Sequence, residues 1–178
     1  FEKASGEAPA KRIKSRTKRS GNRKIPVYGY LCAAAFGALG AVFFNLLLAL
    51  SRLPELFPSA GTIGAAAGEG NTALQFLVVC LILPTAEELV FRGLGYFGLR
   101  RFYGPIFTGV LTASLFGIFH GNAPQTLYAF CMGLLLAHTA EACRSLISVI
   151  LFHWAANVNS FFFLGDPAGQ KLLYSVPF

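Results

Sequence analysis

Charge is what this sequence lacks first. Only 13% of its 178 residues are charged, against about 25% in ordinary soluble domains, which argues against water as the main solvent. Paired cysteines are missing too, since Cys32, Cys80, Cys131 and Cys143 form no CxxC. All four lie in or at the ends of apolar stretches and read as buried free thiols, not as a disulfide or redox framework. No HExxH helix is present. No internal repeat is visible either, which disfavours a secondary transporter.

What is present is apolar. Hydrophobic residues make up 54% of the chain, and mean hydropathy is +0.57. A bilayer core about 30 Å thick takes roughly 20 apolar residues per helix, so a single domain of this length has room for about five spans. The expected fold is all-α: a polytopic integral membrane helical bundle with about five transmembrane helices.

The net charge of +7 is concentrated at one end. Nine of the fifteen Lys and Arg fall within residues 1–24: Lys3, Lys11, Arg12, Lys14, Arg16, Lys18, Arg19, Arg23 and Lys24. This predicts a basic, disordered arm on the cytoplasmic side, set there by the positive-inside rule and attracted to anionic lipid headgroups. No aromatics interleave the basic run, so no nucleic-acid partner is expected. With the arm in the cytoplasm, Arg92, Arg100, Arg101 and Arg144 fall at or near cytoplasmic ends, and only Arg52 and Lys171 fall outside. The chain opens on Phe1, so an incomplete or processed N-terminus is expected. The apolar run after the arm is longer than the roughly 7–15-residue core of a signal peptide, which argues for a retained span.

The chain divides into the arm 1–24, a first transmembrane helix with a Gly/Ala-rich loop over 25–71, a helical core over 72–165, and a tail over 166–178. The first span is predicted from about Pro26 to Leu50, with Asn45 as its one strongly polar residue. The second starts near Thr72, should kink at Pro84 and continues toward Phe102. Gly104-Pro105 breaks the chain, and a third span runs from Pro105 to His120. Pro124 suits the first position of a fourth helix, which runs to about Ala140. Glu141 to Ser145 reads as a short polar turn, and the fifth span runs from about Leu146 to Leu164.

Ionisable groups within such spans cost about 2.5–3.5 kcal/mol each on insertion scales and are functional by default. Here they are Glu87, Glu88 and Arg92 on the second helix, His120 on the third, and His153 with Asn157 on the fifth. Glu88 and Arg92 are four apart and share a face, which predicts an ion pair. Glu87 lies about 100° around the helix and has no Lys or Arg at i±3 or i±4, so its carboxyl is the candidate general base. His153 and Asn157 also share a face. An imidazole can move a proton near neutral pH, and an amide can donate to a developing oxyanion; both residues could instead glue helices together. His120 shares a face with Phe116. A rise of 1.5 Å per residue puts Glu87 about 21 Å from Arg101, His120 about 22 Å from Pro105 and His153 about 13 Å from Arg144, so convergence is plausible with some tilt. His138 and Glu141 read as interfacial and structural.

The ordered set Glu87-Glu88-x-x-x-Arg92, Phe116-x-x-x-His120 and His153-x-x-x-Asn157 resembles the CPBP family. This family comprises the CAAX proteases and bacteriocin-processing enzymes, also called the Abi family, and its eukaryotic relatives include the Ras-converting CAAX endopeptidase. Phe91-Arg92-Gly93 and the stretch from His120 to Gln125 add to the match, which covers about Leu81 to Phe163. The resemblance implies an intramembrane endopeptidase. Glu87 would activate water with help from His120, His153 and Asn157 would stabilise the oxyanion, and Glu88, Arg92 and Phe116 would support the site. The implied partners are the lipid bilayer and a peptide or lipidated-protein substrate, such as a CAAX-type C-terminus or a leader peptide. Glu87, His120 and His153 could together bind Zn²⁺ with one position open; a glutamate-water pair without tightly bound metal is the slightly favoured alternative. Two other functions fit the residues: a scaffold or assembly subunit of a larger membrane complex, and a proton or ion pathway.

Overall fold

The computed structural model describes residues 25–51, 72–121 and 123–165. The predicted basic arm, the Gly/Ala-rich loop and the C-terminal tail lie outside the described residues. Every regular element among those described is helical. They are α1 (Val27–Leu50), α2 (Thr72–Leu99), α3 (Pro105–Phe119), α4 (Ala123–Cys143) and α5 (Leu146–Gly165).

The expected breaks are in place, with one correction. Pro105 opens α3 behind an extended Gly104, where its missing N–H costs nothing. Gly121, at φ +80°, ends the turn after α3, a conformation glycine adopts without strain. The predicted polar turn at Glu141 to Ser145 is shorter than expected. The helix runs on through Cys143, and Arg144 at φ +51° makes the reversal. Helix continuation keeps the Glu141 carboxylate over α2, where Arg100 and Tyr96 hold it.

Three helices have the length and apolarity to cross a membrane: α1, α2 and α4. The other two are apolar but shorter by the same measure, over Pro105–Phe119 and Leu146–Phe162. The 15 residues of α3 rise about 22 Å, less than a bilayer core of about 30 Å. Large apolar side chains such as Val27, Leu39, Leu94, Ile106, Ile118 and Phe119 remain exposed. In a helical bundle whose backbone is satisfied internally, that is a lipid-facing surface. The expectation of buried thiols holds for Cys80 alone; Cys131 and Cys143 are half-buried, and Cys32 is exposed on α1.

Small residues set the helix spacing. The most extensive contacts are α1 with α5 and α3 with α4. A Cβ on Gly37 would stand 2.1 Å from the carbonyl oxygen of Phe152, and one on Gly117 2.8 Å from that of Thr126. Close backbone approach of this kind drives helix association where lipid removes the hydrophobic incentive. Asn45 Nδ2 donates to Ser160 Oγ at 3.1 Å, which gives the one polar residue of α1 a partner on α5. The core between α2, α3, α4 and α5 centres on Tyr96, Phe116, Leu136, Val149 and Phe152.

α2 is not a uniform α-helix. Two π-helical stretches, Leu77–Ile82 and Leu89–Tyr96, flank an α-helical segment over Leu83–Glu88 that carries Pro84. The predicted kink at Pro84 is thus absorbed by a change of hydrogen-bond register, one of the few ways a helix accommodates proline.

Candidate active site

The site forms where the middle of α2 meets α5. Successive side chains on a helix point about 100° apart, so Glu87 and Glu88 diverge. Glu88 turns inward and is fully buried, whereas the side chain of Glu87 keeps 23% of its surface exposed. Arg92, one turn on, is fully buried beside Glu88. Its Nη1 donates to Glu88 Oε1 at 3.0 Å, and its Nη2 to the backbone carbonyl of Gly133 on α4 at 3.2 Å. The predicted ion pair is present. Glu88 Oε2 and Arg92 Nε have no hydrogen-bond partner among the described residues.

Glu88 also reaches across to α5. His153 is 7% exposed, and its Nδ1 lies 2.8 Å from Glu88 Oε1. A carboxylate paired with a guanidinium can only accept, so the proton of this bond sits on Nδ1. That fixes the ring and turns Nε2 outward, where it stands 3.7 Å from Glu87 Oε2. A carboxylate orienting an imidazole through Nδ1 leaves the other nitrogen for chemistry. Glu87 therefore has a partner, supplied by a distant helix and not by its own.

Phe116 forms the floor. The Arg92 guanidinium carbon stacks 4.5 Å from its ring centroid, a cation–π contact strengthened by burial. The His153 and His120 rings meet the same phenyl edge-on at 5.8 and 4.7 Å between centroids. His120 caps α3, with Nδ1 2.7 Å from the carbonyl oxygen of Phe116. That oxygen can only accept, so His120 Nε2 bears the lone pair. The two histidines thus flank Phe116, and among the described residues His120 forms no hydrogen bond or ion pair with Glu87.

Asn157, one turn beyond His153, points to α2 as their shared face predicted. Its Nδ2 donates to the carbonyl oxygen of Val79 at 3.0 Å, which leaves the second amide hydrogen for another acceptor. Trp154, which carried no signal in the sequence, anchors the same junction. Its Nε1 lies 3.0 Å from both the Leu81 carbonyl oxygen and Thr85 Oγ1. A lone tryptophan inside an apolar span is unremarkable by composition. Only its polar N–H, which seeks a partner when buried, could have drawn attention to it.

Of the residues that could hold Zn²⁺, Glu87 and His153 meet across α2 and α5, and each histidine keeps its Nε2 free of a hydrogen bond to the described residues. Among the described residues, no three His, Cys, Asp or Glu side chains are grouped to hold a metal ion. His153 Nδ1 is committed to Glu88, and His120 Nδ1 to a backbone carbonyl. The partly exposed Glu87 carboxyl thus stands beside an imidazole held in place by Glu88.

Glu141 lies outside this centre, as expected. It takes a bidentate contact from Arg100 at 2.8 Å for each bond, a hydrogen bond from the Tyr96 hydroxyl at 3.0 Å, and one from Arg144 at 3.2 Å. These bonds lock the ends of α2 and α4 together. His138 is exposed and meets Phe36 of α1 edge-on at 6.4 Å.

No curated protein and no solved structure matches the chain. Residues 69–159, just over half of it, match a family profile, and that segment holds Glu87, Glu88, Arg92, Phe116, His120, His153 and Asn157. By that match this integral membrane protein belongs to the Rce1-like family, described as type II CAAX prenyl endopeptidase Rce1-like.

Proposed function

We propose that the chain is an intramembrane endopeptidase that hydrolyses a peptide bond of a membrane-associated protein or peptide, with Glu87 as the base. The observation that carries this is the 3.7 Å approach of Glu87 Oε2 to a His153 Nε2 whose ring is fixed by Glu88. A water in contact with both groups would sit off the line joining them, open to the exposed side of Glu87.

Glu87 takes a proton from this water as its oxygen attacks the scissile carbonyl carbon. The carbonyl π-electrons move onto oxygen. Asn157, through its free amide hydrogen, and His153, when both its nitrogens carry protons, donate to that oxyanion. The C–N bond then breaks as Glu87 returns its proton to the leaving amine. His120, across Phe116, presents its Nε2 as a second proton acceptor beside the water. In this reading a glutamate-water pair carries the reaction without a tightly bound metal.

The family points to a prenylated CAAX-type C-terminus as the substrate; leader peptides are the other class the site chemistry admits. The test is cleavage of fluorogenic prenylated and leader-type peptides by purified protein in detergent, with and without chelator. Glu87→Ala should lower kcat by about 10²–10⁴-fold, the usual worth of a positioned general base. His153→Ala should also lose kcat, and chelator should change neither wild type nor variant. Wild-type turnover in a folded Glu87→Ala protein would remove the proposal, and inhibition by chelator would restore the metal set.

A further inference from the structure

Pro84 has no N–H, and the chain around it distributes backbone hydrogen bonds unusually. In an α-helix the carbonyl of Val79 would accept from the N–H of Leu83. Here that N–H donates to Val78 instead, in the π register. In the π register Val79 would accept from residue 84, which is proline. The Val79 carbonyl is thus left without a backbone donor in either register. Two residues on, the Leu81 carbonyl accepts from Thr85 Oγ1 at 2.6 Å and from Trp154 Nε1 at 3.0 Å. A carbonyl orphaned inside a membrane must find a donor; Val79 takes it from Asn157 on α5, and Trp154 of the same helix donates to the Leu81 carbonyl. These residues flank one turn of α5, beginning one residue after His153.

Given the hydrolase assignment above, on which this rests, we infer that Pro84 and Trp154 are positioning residues for that reaction. The proline, in the π register, leaves the Val79 carbonyl open, and the Leu81 carbonyl beside it takes a side-chain donor from α5. Both carbonyls act as fixed receptors for α5, and they set the rotation and depth of Asn157 relative to Glu87. Glu87 itself lies three residues past Pro84 on the same α-helical segment, so one local feature places both sides of the reaction. Misplacement of a catalytic group by about 1 Å can cost on the order of a hundredfold in rate.

The experiment uses the chain's single tryptophan, whose emission reports the Trp154 hydrogen bonds without any substrate. Pro84→Ala restores an N–H and the normal register. It should raise or hold the melting temperature, shift the Trp154 emission maximum, and lower kcat by roughly ten- to a hundredfold with KM within about twofold. Trp154→Phe keeps the packing and loses the donor. It should lower kcat similarly, and it serves as the second variant if Pro84→Ala fails to fold. A Trp154→Phe/Asn157→Ala double variant should be no slower than Asn157→Ala alone, because both changes act through one amide. Loss of kcat in Asn157→Ala, with kcat unchanged in a folded Pro84→Ala or in Trp154→Phe, overturns the inference and leaves the site assignment standing. Unchanged kcat in Asn157→Ala overturns the site assignment instead, whatever the emission spectra do.

Discussion

At the residue scale, the site depends on how one buried carboxylate is shared. Glu88 Oε1 receives both the Arg92 guanidinium at 3.0 Å and the His153 ring at 2.8 Å. Sequence spacing exposes the first contact, because both residues sit on one face of α2. It cannot expose the second, which joins residues 65 positions apart. The pair is not free of cost, since two charges leave water to form it, and its removal is asymmetric. Arg92→Ala would leave Glu88 buried with only an imidazole beside it, and would strip the cation from the Phe116 ring. The expected loss is about 3–5 kcal/mol, read as a lower melting temperature and poor monodispersity in detergent. Glu88→Gln should be milder for folding but should lower kcat, because the amide no longer selects the Nδ1–H form of His153. Wild-type melting in Arg92→Ala would show that the pair carries no structural weight.

At the element scale, the helix spans were legible because each begins or ends on a residue with one physical meaning. Gly104-Pro105 and Pro124 mark starts, and Arg144-Ser145 follows a stop. The π stretches of α2 were not legible. Apolar composition is the same in either register, and a proline marks a break in the sequence without naming the register that accommodates it. The meeting of Glu87 with His153 could be argued only as plausible from depth, while the pairing of Glu88 with Arg92 could be read directly. Helix spacing itself offers a test. Gly37 of α1 lies against the Phe152 carbonyl, so Gly37→Ala must push α1 away from α5 next to His153. Such overpacking costs typically about 1–3 kcal/mol, and both melting temperature and turnover should fall. Gly98, with nothing within 4 Å of an added Cβ, is the control: Gly98→Ala should leave turnover unchanged. Equal effects at the two positions would mean that the α1–α5 contact does not set the site.

At the scale of the whole molecule, charge and span length together bear on orientation. Arg100, Arg101 and Arg144 gather where α2 and α4 end, and Glu141 neutralises only part of that charge. Arg101 is exposed beside Phe102 and Tyr103, the aromatic and basic mixture that settles at a membrane–water boundary. α2 runs from Thr72 at one end to this cluster at the other, and its 28 residues rise about 42 Å, more than the bilayer core. The positive-inside rule predicts the Arg100–Arg144 end in the cytoplasm and the end of α2 near Thr72 opposite. A cysteine-free variant carrying Arg101→Cys, expressed in intact cells, should resist a membrane-impermeant maleimide and react once the cells are opened. The same background with Thr72→Cys should react in intact cells. Reversed labelling would put the arginine end outside.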